Sequence, residues 1–241
     1  MDKTLVIIPT YNESENLPPL VHEIRRTTNF HILVVDDNSP DGTGRIAKEL
    51  AEKLGQITVI ERKGERGYGR ACLVGFKYGL RQNFEYLIQM DADLSHNPKS
   101  LPEIFKKMSQ SDIVIGSRYI EGGKIVVNWG FLRKLLSRGG NRFARLMLSL
   151  PVRDCTNGYR GYRREVIQNL NLDKIKSNGY SFLIEVLYES HKKGYLLAEV
   201  PTVYVDRQHG KSKLSWKVII EAFLMVVKMS LGRIFKRNNL P

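Results

Sequence analysis

Cysteine is nearly absent from this chain: Cys72 and Cys155 are the only two in 241 residues. Two cysteines exclude a disulfide framework and a cysteine-rich zinc module, and read most simply as buried or free thiols in a reducing compartment. Long apolar runs are missing as well. No stretch reaches the roughly 20 apolar residues that a membrane span requires. The apolar run behind Met1-Asp2-Lys3-Thr4 ends at Pro9, too short for the core of a signal peptide. Histidines number five, and they form no obvious Ser-His-Asp or Cys-His constellation. Hydrophobic residues make up 42% of the chain, with 20 glycines and 9 prolines, a composition that folds rather than stays disordered. The length suits one large α/β domain or two small ones, with ample core.

Charge of one sign dominates, but only in one half. The formal net charge is +13. Residues 1–117 carry 15 Lys+Arg against 16 Asp+Glu, a net of −1, and residues 118–241 carry 23 against 9, a net of +14. A general nucleic-acid coat does not predict this split, so the asymmetry needs its own explanation.

The first half alternates two patterns. Apolar, β-branched runs at Leu5–Ile8, Ile32–Val35, Ile57–Ile60, Tyr86–Met90 and Ile113–Ile115 read as strands, the first stopping at Pro9. Between them, 14–27, 41–54, 70–81 and 101–108 read as helices, with Asp41 as a cap for the second. Such alternation predicts βαβ units and a mainly parallel, twisted sheet with helices on both faces. In the second half, 132–150, 178–193 and 214–235 read as helices and Leu196–Tyr204 as a strand. No linker is evident, so the reading is one compact domain with a basic C-terminal elaboration.

Ligands of parallel sheets bind at the carboxyl ends of the strands. Those ends carry Pro9-Thr10-Tyr11-Asn12-Glu13, Asp36-Asp37, Asp91-Ala92-Asp93 and Gly116-Ser117-Arg118. In an extended segment Asp91 and Asp93 point the same way and can converge on one cation. Hard ions such as Mg²⁺ or Mn²⁺ use few carboxylates and take their other ligands from phosphate and water. Alone, the tripeptide reads equally as a solvated turn. Asp36-Asp37 reads both as a turn with a helix cap and as a contact for a nucleoside. The basic, Gly-rich segment from Arg62 to Ala71 suits an anion, but it matches neither a P-loop nor a dinucleotide fingerprint.

Taken in order, these segments resemble the family 2 glycosyltransferases of the GT-A nucleotide-sugar-binding fold, and within them the dolichol-phosphate (polyprenol-phosphate) mannose synthases. The same resemblance runs through Ser117-Arg118-Tyr119, Trp129, Ser137-Arg138-Gly139, Asp206-Arg207 and Gly210-Lys211-Ser212-Lys213, almost the whole chain. It implies transfer of mannose from GDP-mannose to dolichyl or polyprenyl phosphate with inversion. It also implies that Pro9, Tyr11, Glu13, Val35 and Asp37 hold the nucleoside, and that Asp91 and Asp93 bind Mg²⁺ or Mn²⁺ with the diphosphate. Ala92 would lie against the nucleotide. Arg118, Arg207 and Lys213 would surround the diphosphate and the transfer site, and Arg118, Arg133 and Ser137 the acceptor phosphate. Ser95 stands where many relatives have Gln and is a third metal candidate through its hydroxyl. Tyr68 stands where Leu is commoner and reads as a packing residue.

A phosphomonoester has its second pKa near about 6, so the acceptor needs no strong base, and electrostatics and positioning carry the reaction. His96 and His209 lie inside motifs and are candidates for a direct role. The catalytic part spans 1–213, divided near residue 117 into a nucleotide-sugar part and an acceptor part. Residues 214–241 form an amphipathic helix that either lies on a membrane surface or packs on the core. The expected setting is the cytosolic face of a membrane, with room for a membrane-embedded partner subunit. Transfer from a UDP-sugar, a basic nucleic-acid-binding module and a structural scaffold are the competing readings. No nucleic-acid reader motif is present, and the acidic strand ends argue against a nucleic-acid partner.

Overall fold

The computed structural model describes residues 3–127, 131–175, 177, 179–205 and 216–237, with the backbone alone described at 131–134, 180, 216–218 and 232–237. In chain order its strands are β1 (Thr4–Thr10), β2 (His31–Asp36), β3 (Ile57–Glu61), β4 (Tyr86–Gln89), β5 (Ile113–Ser117), β6 (Lys124–Val126), β7 (Arg160–Arg163), β8 (Leu197–Pro201) and β9 (Val203–Val205). Its helices are α1 (Leu17–Thr27), α2 (Thr43–Leu54), α3 (Tyr68–Arg81), α4 (Leu101–Lys107), α5 (Phe131–Leu148), α6 (Arg164–Asn169), α7 (Gly179–Lys192) and α8 (Trp216–Arg237).

Seven strands form one sheet in the order β3-β2-β1-β4-β7-β5-β8, and β6 pairs with β9 in a second, two-stranded sheet. All pairings in the main sheet are parallel except those of β7, which runs antiparallel between β4 and β5. Both faces are covered, which is why the strands read as unbroken apolar runs rather than alternating ones. Leu5, Ile7, Leu33, Val35, Ile113 and Ile115 join the core beneath α3, α5 and α7. Val6, Ile8, Ile32, Val34 and Val114 join the opposite core with α1, α2 and α4. A Cβ at Gly75 or Gly79 would strike Ile7 or Leu87, so these glycines let α3 lie directly on the sheet.

Several boundaries differ from the sequence reading. β1 runs through Pro9 to Thr10. Met90 N donates to Ile7 O, and Asp37 N to Thr10 O, so odd residues of β1 face β4. β4 ends opposite Ile7, so the N–H that proline lacks has no partner to lose there. The expected strand 196–204 is two strands. The chain leaves the main sheet after Pro201, and Thr202 bridges, donating to Ser117 O and accepting from Lys124 N. β7, a central strand, lies wholly outside the predicted elements and draws both halves of the chain into one sheet.

Helix α8 packs on α5 and α7. Val226 and Ser230 are buried, and Phe143 stacks on Phe223 with centroids 4.7 Å apart. α8 also exposes Ile220, Leu224, Leu231 and part of Phe223, and α5 adds Leu135 and Leu146. Core packing and an exposed apolar face therefore coexist. Among the described residues, no helix is long and apolar enough to cross a membrane.

Candidate active site

The strand ends of β1, β2 and β4 open on one edge of the sheet. Asp36 and Asp37 close β2, and they differ in role. Asp36 is saturated inside the fold, accepting from Thr10 Oγ1 at 2.8 Å, Ser39 Oγ at 2.6 Å and Ser39 N at 2.9 Å. Asp37 turns to the Gly-rich loop, where its Oδ2 accepts from Gly67 N at 2.8 Å and its Oδ1 pairs with Arg62. Tyr11 joins the same loop, with the Arg66 guanidinium 4.5 Å from its ring centroid and bonded to its hydroxyl. Pro9 and Val35 are register partners in β1 and β2 and are buried beneath. Glu13 accepts from Asn16 Nδ2 at 2.7 Å, and its N–H donates to Thr43 Oγ1 at 2.9 Å.

Asp41 is not the cap of α2. Gly42 takes that place, at φ +86°. Asp41 accepts instead from Thr43 N, Thr43 Oγ1 and Ser14 N, tying the loops after β1 and β2 together. Burial alone would raise its carboxyl pKa, but these hydrogen bonds bring it below the ordinary range.

Asp91 and Asp93 follow β4, but not in extended backbone. β4 ends at Gln89, Leu94 sits at φ +62°, and Asp93 Oδ1 accepts from Ser95 N at 3.1 Å. The acids therefore project from a turn that the Asp93 side chain stabilises. Asp91 is held from two sides. Tyr68 donates to its Oδ1 at 2.8 Å, and its N–H donates to His96 Nδ1 at 3.0 Å. That bond makes His96 Nδ1 an acceptor and puts the ring proton on Nε2, 3.8 Å from Asp91 Oδ2. The His96 ring stacks on Tyr159 at 5.0 Å, so His96 serves to hold the acidic turn. Ala92 is buried in the core on the α4 side.

The residues fit a hard divalent cation. Among the described residues, no three His, Cys, Asp or Glu side chains group as a metal cage. One or two carboxylates with substrate phosphate and water are the usual arrangement for Mg²⁺. Ser95 Oγ is buried with no hydrogen-bond partner among the described residues, an oxygen suited to an external ligand.

Tyr68 has a polar role that the sequence reading lacks. Its hydroxyl accepts from Gln89 Nε2 at 2.7 Å while donating to Asp91. Burial first, and then the Asp91 charge, push its pKa well above the ordinary tyrosine value. Gly67 and Tyr68 thus touch Asp37 and Asp91 respectively, so two consecutive residues join the two acidic strand ends.

Arg118, predicted as a gatherer of phosphate, is buried and bound to Asp154. Its Nε and Nη2 donate to the two carboxylate oxygens at 2.7 and 2.8 Å, and Nη2 also reaches Thr156 Oγ1 at 2.9 Å. Burial raises the Asp154 pKa, but the Arg118 charge and hydrogen bonds outweigh it and leave the carboxyl below its ordinary value. Arg118 therefore orders the loop 154–158 rather than presenting an unpaired cation. Ser137 lies nearby, with its Oγ 2.7 Å from Tyr119 Oη. Asn141 links α5 to the same loop through Thr156 Oγ1 and Cys155 N.

Arg160 is wholly buried, and it donates to the carbonyls of Asn157, Leu183 and Cys155 at 2.6 to 2.7 Å. It anchors the loop that holds Asp154 and Gly158, and a Cβ at Gly158 would collide with the Tyr68 hydroxyl and crowd Asp91. The turn-forming run Asp154-Cys155-Thr156-Asn157-Gly158 was the available signal for this loop. Trp129, Asp206, Arg207, His209, Ser212 and Lys213 lie outside the described residues, as does the Arg133 side chain. Val205 donates to Ser95 O at 3.4 Å, so the chain leaves the described region beside the acidic turn.

Residues 5–170 match the model of glycosyl transferase family 2. The chain belongs to that family. It is 42% identical over 236 residues to a polyprenol monophosphomannose synthase of Mycolicibacterium smegmatis, covering 96% of this chain and 89% of that one. It is 40% identical over 231 residues to an undecaprenyl-phosphate mannosyltransferase of Micrococcus luteus, covering 95% of both. A solved mannosyltransferase of Pyrobaculum calidifontis, in complex with GDP-Man and Mn²⁺, shares the fold with a TM-score of 0.63 at 17% identity, covering 95% of this chain and 64% of that one. The architecture of this glycosyltransferase is the GT-A fold.

Proposed function

We propose that this glycosyltransferase moves mannose from GDP-mannose to a polyprenyl phosphate, with inversion at the anomeric carbon, at the cytosolic face of a membrane. The observation that carries the reading is the joining of Asp37 and Asp91 through Gly67 and Tyr68. It ties the acid assigned to the nucleoside and the acid assigned to the diphosphate together at one edge of the sheet, which supports the reading. The names of the two relatives near 40% identity support mannose and a polyprenyl phosphate.

In this reading Tyr11, Glu13 and Asp37 hold the nucleoside above the buried Pro9 and Val35, and Ala92, packed in the core, backs the acidic turn rather than meeting the nucleotide. Asp91, Asp93 and the Ser95 hydroxyl, unpartnered among the described residues, would hold Mg²⁺ or Mn²⁺. The ion would neutralise charge on the departing diphosphate. Arg207 and Lys213 assist there. The acceptor phosphate, already anionic near neutral pH, meets Arg133 and Ser137, on α5. Arg118 acts through Asp154 by fixing the wall of that site.

The apolar face of α8 and α5 is bordered by exposed Arg138, Arg142, Arg145 and Lys228, which suits an anionic bilayer carrying the lipid acceptor. The test is incubation of the protein with undecaprenyl phosphate, Mn²⁺ and a panel of labelled nucleotide sugars. The reading expects label in the lipid from GDP-mannose, with a β-linked product. Transfer only from a UDP-sugar, or an α-linked product, would overturn the corresponding part.

A further inference from the structure

The hydroxyl of Tyr68 is the polar atom of α3 that reaches the acidic turn, and its surroundings fix which way its hydrogen bonds run. A carboxylate oxygen can only accept, so the single phenolic proton goes to Asp91 Oδ1 at 2.8 Å. Gln89 must then supply the other bond, donating its amide N–H to the tyrosine oxygen at 2.7 Å. Gln89 is the last residue of β4 and fully buried, so the anchor of this relay is the sheet itself.

The rest of the setting leaves Tyr68 little freedom. Its ring meets Phe182 edge-on at 6.4 Å. Gly158 passes so close that any side chain there would collide with the hydroxyl. The Asp91 backbone is pinned independently by His96. What Tyr68 adds is control of the carboxylate plane, because it takes Oδ1 and leaves Oδ2 on the His96 side, 3.8 Å from Nε2. A partner that orients a ligating carboxylate tunes metal affinity without itself touching the metal.

We propose that Tyr68 is a positioning residue of the divalent-cation site: held by Gln89, its hydroxyl sets the orientation of Asp91 and thereby the affinity for a metal-bound nucleoside diphosphate. The inference rests on the metal role assigned to Asp91 above.

The test compares Tyr68→Phe with the unaltered protein, counting free Mn²⁺ by electron paramagnetic resonance with and without GDP, and measuring GDP binding in chelator by calorimetry. Tyr78→Phe is the control. It removes another hydroxyl from α3, one that meets Thr58 Oγ1 at 3.2 Å. Tyr68→Phe is expected to weaken Mn²⁺ binding in the presence of GDP by about tenfold. Metal-free GDP binding should stay within about twofold, and Tyr78→Phe should match the unaltered protein. An unchanged Mn²⁺ constant in Tyr68→Phe overturns the proposal. So does a parallel loss of metal-free GDP binding, which makes Tyr68 a general structural residue. If the unaltered protein binds GDP but shows no metal enhancement, the positioning role falls and the nucleotide reading stands. If it binds neither, both fall.

Discussion

Asp154 grips Arg118 at three points, accepting from its backbone N–H at 3.1 Å, from Nε at 2.7 Å and from Nη2 at 2.8 Å. Both side chains are buried. Removing one partner of such a pair strands a buried charge, whereas removing both does not. Asp154→Leu should lose about 3–5 kcal/mol of stability in urea denaturation. The double variant Arg118→Met/Asp154→Leu should be more stable than Asp154→Leu. A double variant less stable than the single one contradicts the pairing.

The same pair sets a pH dependence. The Asp154 carboxyl is held below its ordinary value in the fold, so below pH about 4 the unfolded chain binds the proton more readily than the native one. Stability from this group is full above the unfolded pKa and is lost as pH falls through the folded one. Chemical denaturation across the acid range should show this slope, and Asp154→Asn should flatten it.

The two thiols should be inert in the native state. Burial pushes the Cys155 pKa up to about 12, and burial together with the Asp91 and Asp37 charges raises that of Cys72 well above its ordinary value. A disulfide reagent at about pH 8 should label neither until urea unfolds the chain. Rapid labelling of native protein contradicts the packing around β4 and β7.

Vesicle binding is expected from the α5–α8 face. Co-sedimentation with phosphatidylglycerol vesicles should exceed that with neutral ones and fall with salt. Leu224→Glu, exposed at 60%, should weaken it with little effect on the folding midpoint. Equal binding to both vesicle types at low salt counts against the assignment.

The parallel half of the sheet and the acidic strand ends are legible in the sequence because both leave local marks, apolar runs and carboxylates after them. β7 leaves none. Its four residues, Arg160-Gly161-Tyr162-Arg163, carry two charges, and its place between β4 and β5 depends on contacts with strands up to 77 residues earlier in sequence. Arg118 was found as a cation by position, but its carboxylate lies 36 residues downstream, a pairing that spacing does not reveal. Tyr68 looks like packing in a linear motif, and only the fold brings its hydroxyl to Asp91. The role of α8 had two readings, and amphipathic periodicity could not separate them, since the helix both packs on α5 and α7 and exposes an apolar face.

The most direct test of the metal-dependent donor site is Asp93→Ala, with mannosyl transfer to undecaprenyl phosphate followed over a wide Mn²⁺ range. Asp93 is nearly buried and its Oδ1 braces the turn at Ser95 N, so folding is checked in parallel by thermal denaturation. Losing a ligand to an ion that stabilises transition-state charge should cost roughly 100-fold in kcat/KM, about 3 kcal/mol, and added Mn²⁺ should not restore it. Folded Asp93→Ala with near-unaltered turnover at ordinary Mn²⁺ would contradict the account.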